Sequence, residues 1–360
     1  MQATVPERDK KSGVCYAVTD DGLELPVIDI THPAFELRLS EAEISAVIDD
    51  TLRSMQASAS LPAETARGLV EGSLLLRGVR ESGLAFAVPV LFFIACGLTL
   101  IFGIMRIINF AHGAIFMLGA YVGFTIVAVT GSFLLSLLLA PIVVGGLGMA
   151  FERVFLRHLY GRRDGGAYLL LTFGLAVVLS ELIRVIWGAQ PRASGIPDFL
   201  RGIVVIVEQP FPLYRLFLIA AGLAAALAIW QFLERTRAGL LIRAVSQNAE
   251  MVHALGTDVA LVRTAVFGLG CAMAALGGVL AAPLVTAFLG MGTTVVIDAF
   301  VIVIIGGMGS FLGSLIGSIL VGFVQVLGAY YFQDLALAFM YFLMLIVLVI
   351  RPGGLLGRED

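Results

Sequence analysis

ERTRAGLLIRAVSQNAEMVHALGTDVALVR, residues 234–263, is the only long charged interval after residue 83. Apolar runs at 213–233 and 264–285 flank it, each long enough to cross about 30 Å of hydrocarbon as a helix. A chain that suspends a water-loving helical segment between two such runs is a membrane protein offering one sizeable surface to the aqueous phase.

Outward from this loop, further apolar runs read as spans near 84–104, 110–129, 132–156, 167–188, 295–308, 311–331 and 334–350. With the two flanking runs these give an all-α polytopic membrane protein of about eight to nine spans; the short run at 295–308 and the Gly306-Gly307-Met308-Gly309 turn leave the count at eight or nine. The alternation of a transmembrane barrel is absent, and backbone in lipid must bond within helices or a closed barrel.

Residues 1–80 differ in kind. Eight Lys/Arg stand against fourteen Asp/Glu over residues 1–81, so this segment is an acidic appendage to the hydrophobic domain at 81–360. GLELPVIDI (22–30) reads as a strand. SEAEISAVIDDTLRSMQ (40–56) reads as a helix with a Ser40/Glu43 capping box, and 58–78 as an amphipathic stretch. No signal peptide precedes the first apolar run.

Arginines in short loops stay cytoplasmic. With 234–263 inside, nine alternating spans also place Arg106, Arg153, Arg157, Arg162, Arg163, Arg351 and Arg358 inside, together with Arg235, Arg237, Arg243 and Arg263. Only Arg192, Arg201 and Arg215 fall near the long outer loop, and residues 1–80 are left outside.

Several chemistries are excluded. The only lysines are Lys10 and Lys11, so no phosphate-binding loop of the GxxxxGK[ST] type exists, and no GxSxG, HExxH or CxxC occurs. The chain carries no catalytic or metal motif and no basic bias for nucleic acid; no cofactor is expected, and any energy from nucleotide must arrive from another subunit. Asp298 and Gln325 are isolated polar residues in apolar runs, and no acidic relay crosses the membrane.

Three features are candidates for function. Arg106, Asn109 and His112 fall in a break between apolar runs; Asn109 and His112 either line a pathway or, more simply, cap a helix and sit at the interface. Gly119 and Gly123, and Gly309, Gly313 and Gly317, recur at four-residue spacing, which suits close helix packing or faces that slide. Within the charged loop, Gln247–Leu255 fits a short surface helix closed by Gly256, with Glu250 and Gly256 in E-x5-G spacing.

Three segments, GLTLIFGIMRIINFAHGAIFMLGAY (97–121), RAVSQNAEMVHALGTDVALVR (243–263) and AFVIVIIGGMGSFLGSLIGSILVG (299–322), occur in this order and together resemble the LivH-type permease of branched-chain amino-acid ABC importers. The resemblance covers about 83–357; the acidic appendage has no counterpart in it. It implies the transmembrane domain of an importer in the bacterial cytoplasmic (inner) membrane. The implied partners are a LivM-type second permease, two ATPase subunits and an extracytoplasmic solute-binding protein. Arg243, Glu250, Met251, Val252 and Gly256 would then belong to the segment that couples to the ATPase, and substrate would pass by alternating access. The competing reading is a self-sufficient secondary transporter or channel for a small solute.

Overall fold

The computed structural model describes residues 14–18, 24–28, 83–160, 165–206, 209–331 and 336–357. The chain divides into two compact units, Met1–Leu74 and Leu75–Asp360. In the first, β1 (Val14–Val18) pairs antiparallel with β2 (Glu24–Ile28), Val14 opposite Ile28. The strand read at 22–30 is therefore present, while the helical stretches read at 40–56 and 58–78 lie outside the described residues.

The second unit is a helical membrane domain. Its described helices are α1 (Leu84–Met105), α2 (His112–Thr130), α3 (Phe133–Val154), α4 (Gly165–Trp187), α5 (Leu213–Arg235), α6 (Arg237–Gln247), α7 (Ala249–Ala254), α8 (Val259–Ala281), α9 (Met291–Gly306), α10 (Phe311–Tyr331) and α11 (Ala336–Ile350). Seven are long and apolar enough to cross a membrane, and α9 and α11 are shorter apolar helices. Every apolar run of the sequence is thus a helix, with α9 starting four residues before its predicted span because Gly290 opens it at φ 118°.

Helix α1 is the pillar. Phe92, Phe93, Ile94, Ala95, Cys96, Leu98 and Ile101 are all buried, and α1 is packed by α5, α8, α9 and α10. Helix α8 lies against α1, α2 and α3. Lipid supplies no hydrophobic drive between helices, so close backbone approach does the work. A Cβ on Gly119 would stand 2.3 Å from Ala275 Cα, and one on Gly278 2.1 Å from the Phe116 carbonyl oxygen.

The two ends of the bundle differ. At the end carrying α6 and α7, Gly103 meets the turn at Gly309, and the C-terminal segment around Gly354 packs on Gly307. Arg106, Arg153, Arg157, Arg235, Arg237, Arg243, Arg263 and Arg351 gather at this end; Arg162, Arg163 and Arg358 lie outside the described residues. At the opposite end a hairpin of β3 (Ile203–Ile206) and β4 (Gln209–Pro212) follows α4, and Arg192 pairs with Ala287. A cavity of about 390 Å³ opens there between the α2–α3 turn and residues 194–201.

Candidate transport path and coupling surface

The break between α1 and α2 is a descent into the membrane. Arg106 ends α1 in a left-handed conformation, φ 51°, donating its N–H to Phe102. His112, the first residue of α2, then stands beside the middle of α1: its Nε2 is 3.0 Å from the Ile94 carbonyl oxygen and its ring lies against Gly97. From Met105 back to Gly97 or Ile94 is about 12–16 Å at 1.5 Å per residue. Six residues, 106–111, cover that when extended, since each spans at most about 3.3–3.6 Å. Helix α2 therefore starts near half depth.

Extended backbone inside a membrane must find partners. Asn109 provides them locally: its Oδ1 accepts from Ala111 N at 3.1 Å and its carbonyl from His112 N at 3.3 Å. Thr172 of α4 receives the Phe110 N–H at 3.4 Å. Asn109 is thus a turn-forming residue just ahead of α2, but not its cap: Ala111 holds the N-cap position, with no side-chain hydrogen bond there. His112 is instead wholly buried, not interfacial, because the descent carries it against α1. Neither touches open space, although Asn109 Nδ2 and His112 Nδ1 are buried without a partner.

The segment's own alternation shows which side is open. Ile107, Asn109 and Ala111 face the core, whereas Ile108 and Phe110 are 44% and 38% exposed. Phe110 sits 5.2 Å, centroid to centroid, from Phe300 of α9. Sequence reading singled out the polar pair and missed this apolar one, because Arg-Ile-Ile-Asn-Phe-Ala has no polar/apolar alternation to mark which side is exposed.

At the loop end, the short helix expected at 247–255 is present as α7, and a further helix, α6, precedes it. Thr236 caps α6 by accepting from Gly239 N at 3.0 Å. Asn248 interrupts the run and caps α7, accepting from Met251 N at 2.9 Å. Gly256 closes α7 as anticipated: its φ is +85°, its N–H bonds the His253 carbonyl at 2.9 Å, and Thr257 N bonds Val252 O at 3.3 Å. This paired 5→2 and 6→1 pattern demands a left-handed residue.

Exposure sorts the expected coupling residues. Glu250 and Met251 are exposed, Met251 by 59%. Val252 is buried among Val245 and Val259, so it anchors the loop and offers no outward surface. Arg243 is held by Glu234 in an ion pair back to the end of α5. Leu255, which the sequence did not suggest, is 79% exposed and forms an apolar knob beside Met251.

The glycine stripes separate likewise. Gly123 packs on Val279, Gly313 on the Gly306 carbonyl and Gly317 on Ile302. Gly309 precedes α10 and adopts φ +84° in the turn against Gly103; the helical stripe therefore begins at Gly313. Gln325, isolated in sequence, donates its Nε2 to Met340 Sδ of α11 at 3.4 Å. Glu181 and Arg184 form an exposed ion pair at 2.8 Å. Among the described residues no cluster of three or more His, Cys, Asp or Glu could hold a metal.

A bundle of apolar helices with one re-entrant segment and one capped aqueous knob defines a multi-pass α-helical membrane protein built around a discontinuous span. Residues 81–348 match the family described as "Branched-chain amino acid transport system / permease component", and the chain belongs to that family. It is 30% identical over 291 residues to the high-affinity branched-chain amino acid transport system permease protein BraD of Pseudomonas aeruginosa, covering 74% of this chain and 91% of that one. It is 28% identical over 288 residues to LivH of Escherichia coli K12, with the same coverage. A probable LivH permease of Methanocaldococcus jannaschii is 26% identical over 279 residues, covering 74% and 88%. A chain of PsaBC from Streptococcus pneumoniae in complex with Fab aligns at TM-score 0.43 with 13% identity, over 77% of this chain and 94% of that one. The protein is an ABC-transporter permease of the inner membrane.

Proposed function

We propose that the chain is the transmembrane half of an ATP-driven importer for branched-chain or related amino acids, working by alternating access. The observation that carries this is the knob of Met251 and Leu255, two apolar side chains exposed on a rigidly capped helix at the arginine-rich end of the bundle. The arginine bias makes that end cytoplasmic, where an apolar knob of this kind suits a groove on an ATPase subunit. A LivM-type permease completes the pair, and a solute-binding protein delivers substrate at the opposite end.

In this reading the outward side of the 106–111 segment lines the path. Ile108 and Phe110 stand exposed beside the middle of α1 on the side of the segment turned away from the core, a position that suits a water-filled path or the partner permease. Midplane sites of this build occur in transporters with discontinuous helices. Ile108, Phe110 and Phe300 would present an apolar wall to an aliphatic side chain.

The test is co-purification with candidate ATPase subunits, followed by ATP-dependent uptake in vesicles supplied with a candidate binding protein. Uptake of leucine, isoleucine or valine only with ATP and all components supports the assignment. Uptake by this chain alone, driven by an ion gradient, would replace it with a secondary carrier.

A further inference from the structure

Glu152 is a buried acid that none of the foregoing uses. It lies in the last turn of α3, fully buried, and both carboxylate oxygens are engaged: Tyr160 Oη donates to Oε1 and Thr264 Oγ1 to Oε2. Tyr160 belongs to the turn after α3, and Thr264 to the second turn of α8, which begins where the α6–α7 loop ends. Arg263, beside Thr264, places its guanidinium 4.8 Å from the centroid of the Tyr160 ring. The turn is fixed in addition by α4, whose Tyr168 hydroxyl donates to Leu159 O at 2.5 Å.

The surroundings make this a joint between bodies. Further along the two helices, α3 and α8 approach closely: a Cβ on Gly145 would stand 3.0 Å from the Gly268 carbonyl oxygen, and one on Gly148 2.6 Å from Cys271 Sγ. The loop therefore cannot move at its α8 end without pulling on Glu152 and, through it, on α3, Tyr160 and α4. Burial and the Glu152 bond push the Tyr160 phenol pKa up, so it stays a neutral donor. A buried carboxylate contributes little net stability compared with an apolar side chain, and its best-attested use is to fix register. Both hydroxyls donate to this one carboxyl group, which ties Tyr160 and Thr264 to α3.

Resting on the reading of α7 as the ATPase contact, we infer that Glu152 is a positioning residue that transmits movement of the α6–α7 loop, through Thr264 and Tyr160, to α3 and α4. Loss of the joint uncouples ATP hydrolysis from transport without dismantling the complex.

The experiment compares Glu152→Gln, Thr264→Val, Tyr160→Phe and the conservative Thr264→Ser in the assembled importer. Substrate carried and ATP hydrolysed are measured in the same vesicles. The expected result is retained ATPase subunits, continuing hydrolysis, and a ratio of substrate to ATP lowered roughly 2- to 30-fold in the first three variants. Thr264→Ser restores the ratio, and Glu152→Gln with Thr264→Val falls little below either alone. Uptake and hydrolysis declining together, at an unchanged ratio, would mean that Glu152 serves packing only. If the wild-type chain retains no ATPase subunit, the docking reading fails and the joint with it; retention with an unchanged ratio removes the joint alone. Should Glu152→Gln not assemble, Thr264→Val and Tyr160→Phe decide the matter, since each deletes only one hydroxyl.

Discussion

Gly113 and Gly292 meet backbone to backbone at the start of α2: a Cβ on Gly113 would stand 2.0 Å from the Gly292 carbonyl oxygen, and one on Gly292 2.6 Å from that of Gly113. The contact pins the re-entrant end of α2 to the first turn of α9. Backbone cannot yield as a flexible side chain can. Gly113→Ala should therefore cost about 3 kcal/mol, the upper end for overpacking. Gly174→Ala meets nothing within 4 Å and should be neutral or slightly stabilising. Thermal unfolding in detergent checks both, and equal melting temperatures would remove the close-contact argument.

The alternation along 106–111 makes a second prediction. With Cys15 replaced by Ser, the remaining cysteines, Cys96 and Cys271, are buried. A charged thiol reagent added to vesicles should then modify Ile108→Cys and Phe110→Cys but spare Ile107→Cys. Saturating substrate or trapped nucleotide should change the rate at 108 and 110. Complete protection of both in every state would place that side against protein or lipid and away from any aqueous path.

A third concerns the acidic appendage. The units divide at Leu74–Leu75, and the apolar core of the helical domain lies in residues after 83. A chain starting at Leu75 should insert and reach the membrane in an amount within about twofold of the full chain, because the spans carry their own packing. Membrane quantification by immunoblot decides this; loss of insertion would make the appendage part of the fold.

How far sequence carries the reading depends on the range of the interactions. The spans are visible because length and hydropathy are local properties, and the Gly256 cap because its signal lies within six residues. The depth of His112 is not visible, for it depends on Gly97 in α1 and on Thr172, 62 residues beyond Phe110. Nor is the inward turn of Val252, which a six-residue helix is too short to betray by periodicity. Glu152 reads as one more charge in a basic cluster until Thr264, 112 residues away, is folded against it. Gly309 misleads for the opposite reason: its spacing from Gly313 is helical, but the helix starts only at Phe311.

The last prediction separates the knob of α7 from its scaffold. Leu255 is 79% exposed and makes no described hydrogen bond through its side chain, so Leu255→Ser should leave folding within about 0.5 kcal/mol. If the knob enters an ATPase groove, the same change forfeits the burial of one leucine, about 1.5–3 kcal/mol, which is roughly 10- to 100-fold in retention of the ATPase subunit. Met251→Ser should act in the same direction. Gly256→Ala probes the scaffold instead: its Cβ meets nothing within 4 Å, so the penalty is the left-handed backbone alone, about 1–2 kcal/mol. It should weaken retention less than Leu255→Ser, and Gly256→Asn, which tolerates that conformation better, less still. Glu250→Ala, an exposed rim charge, should cost only about 0–1 kcal/mol. Pull-down of the ATPase subunit at matched membrane abundance ranks the four positions. Wild-type retention by Leu255→Ser and Met251→Ser together would take the ATPase contact away from α7.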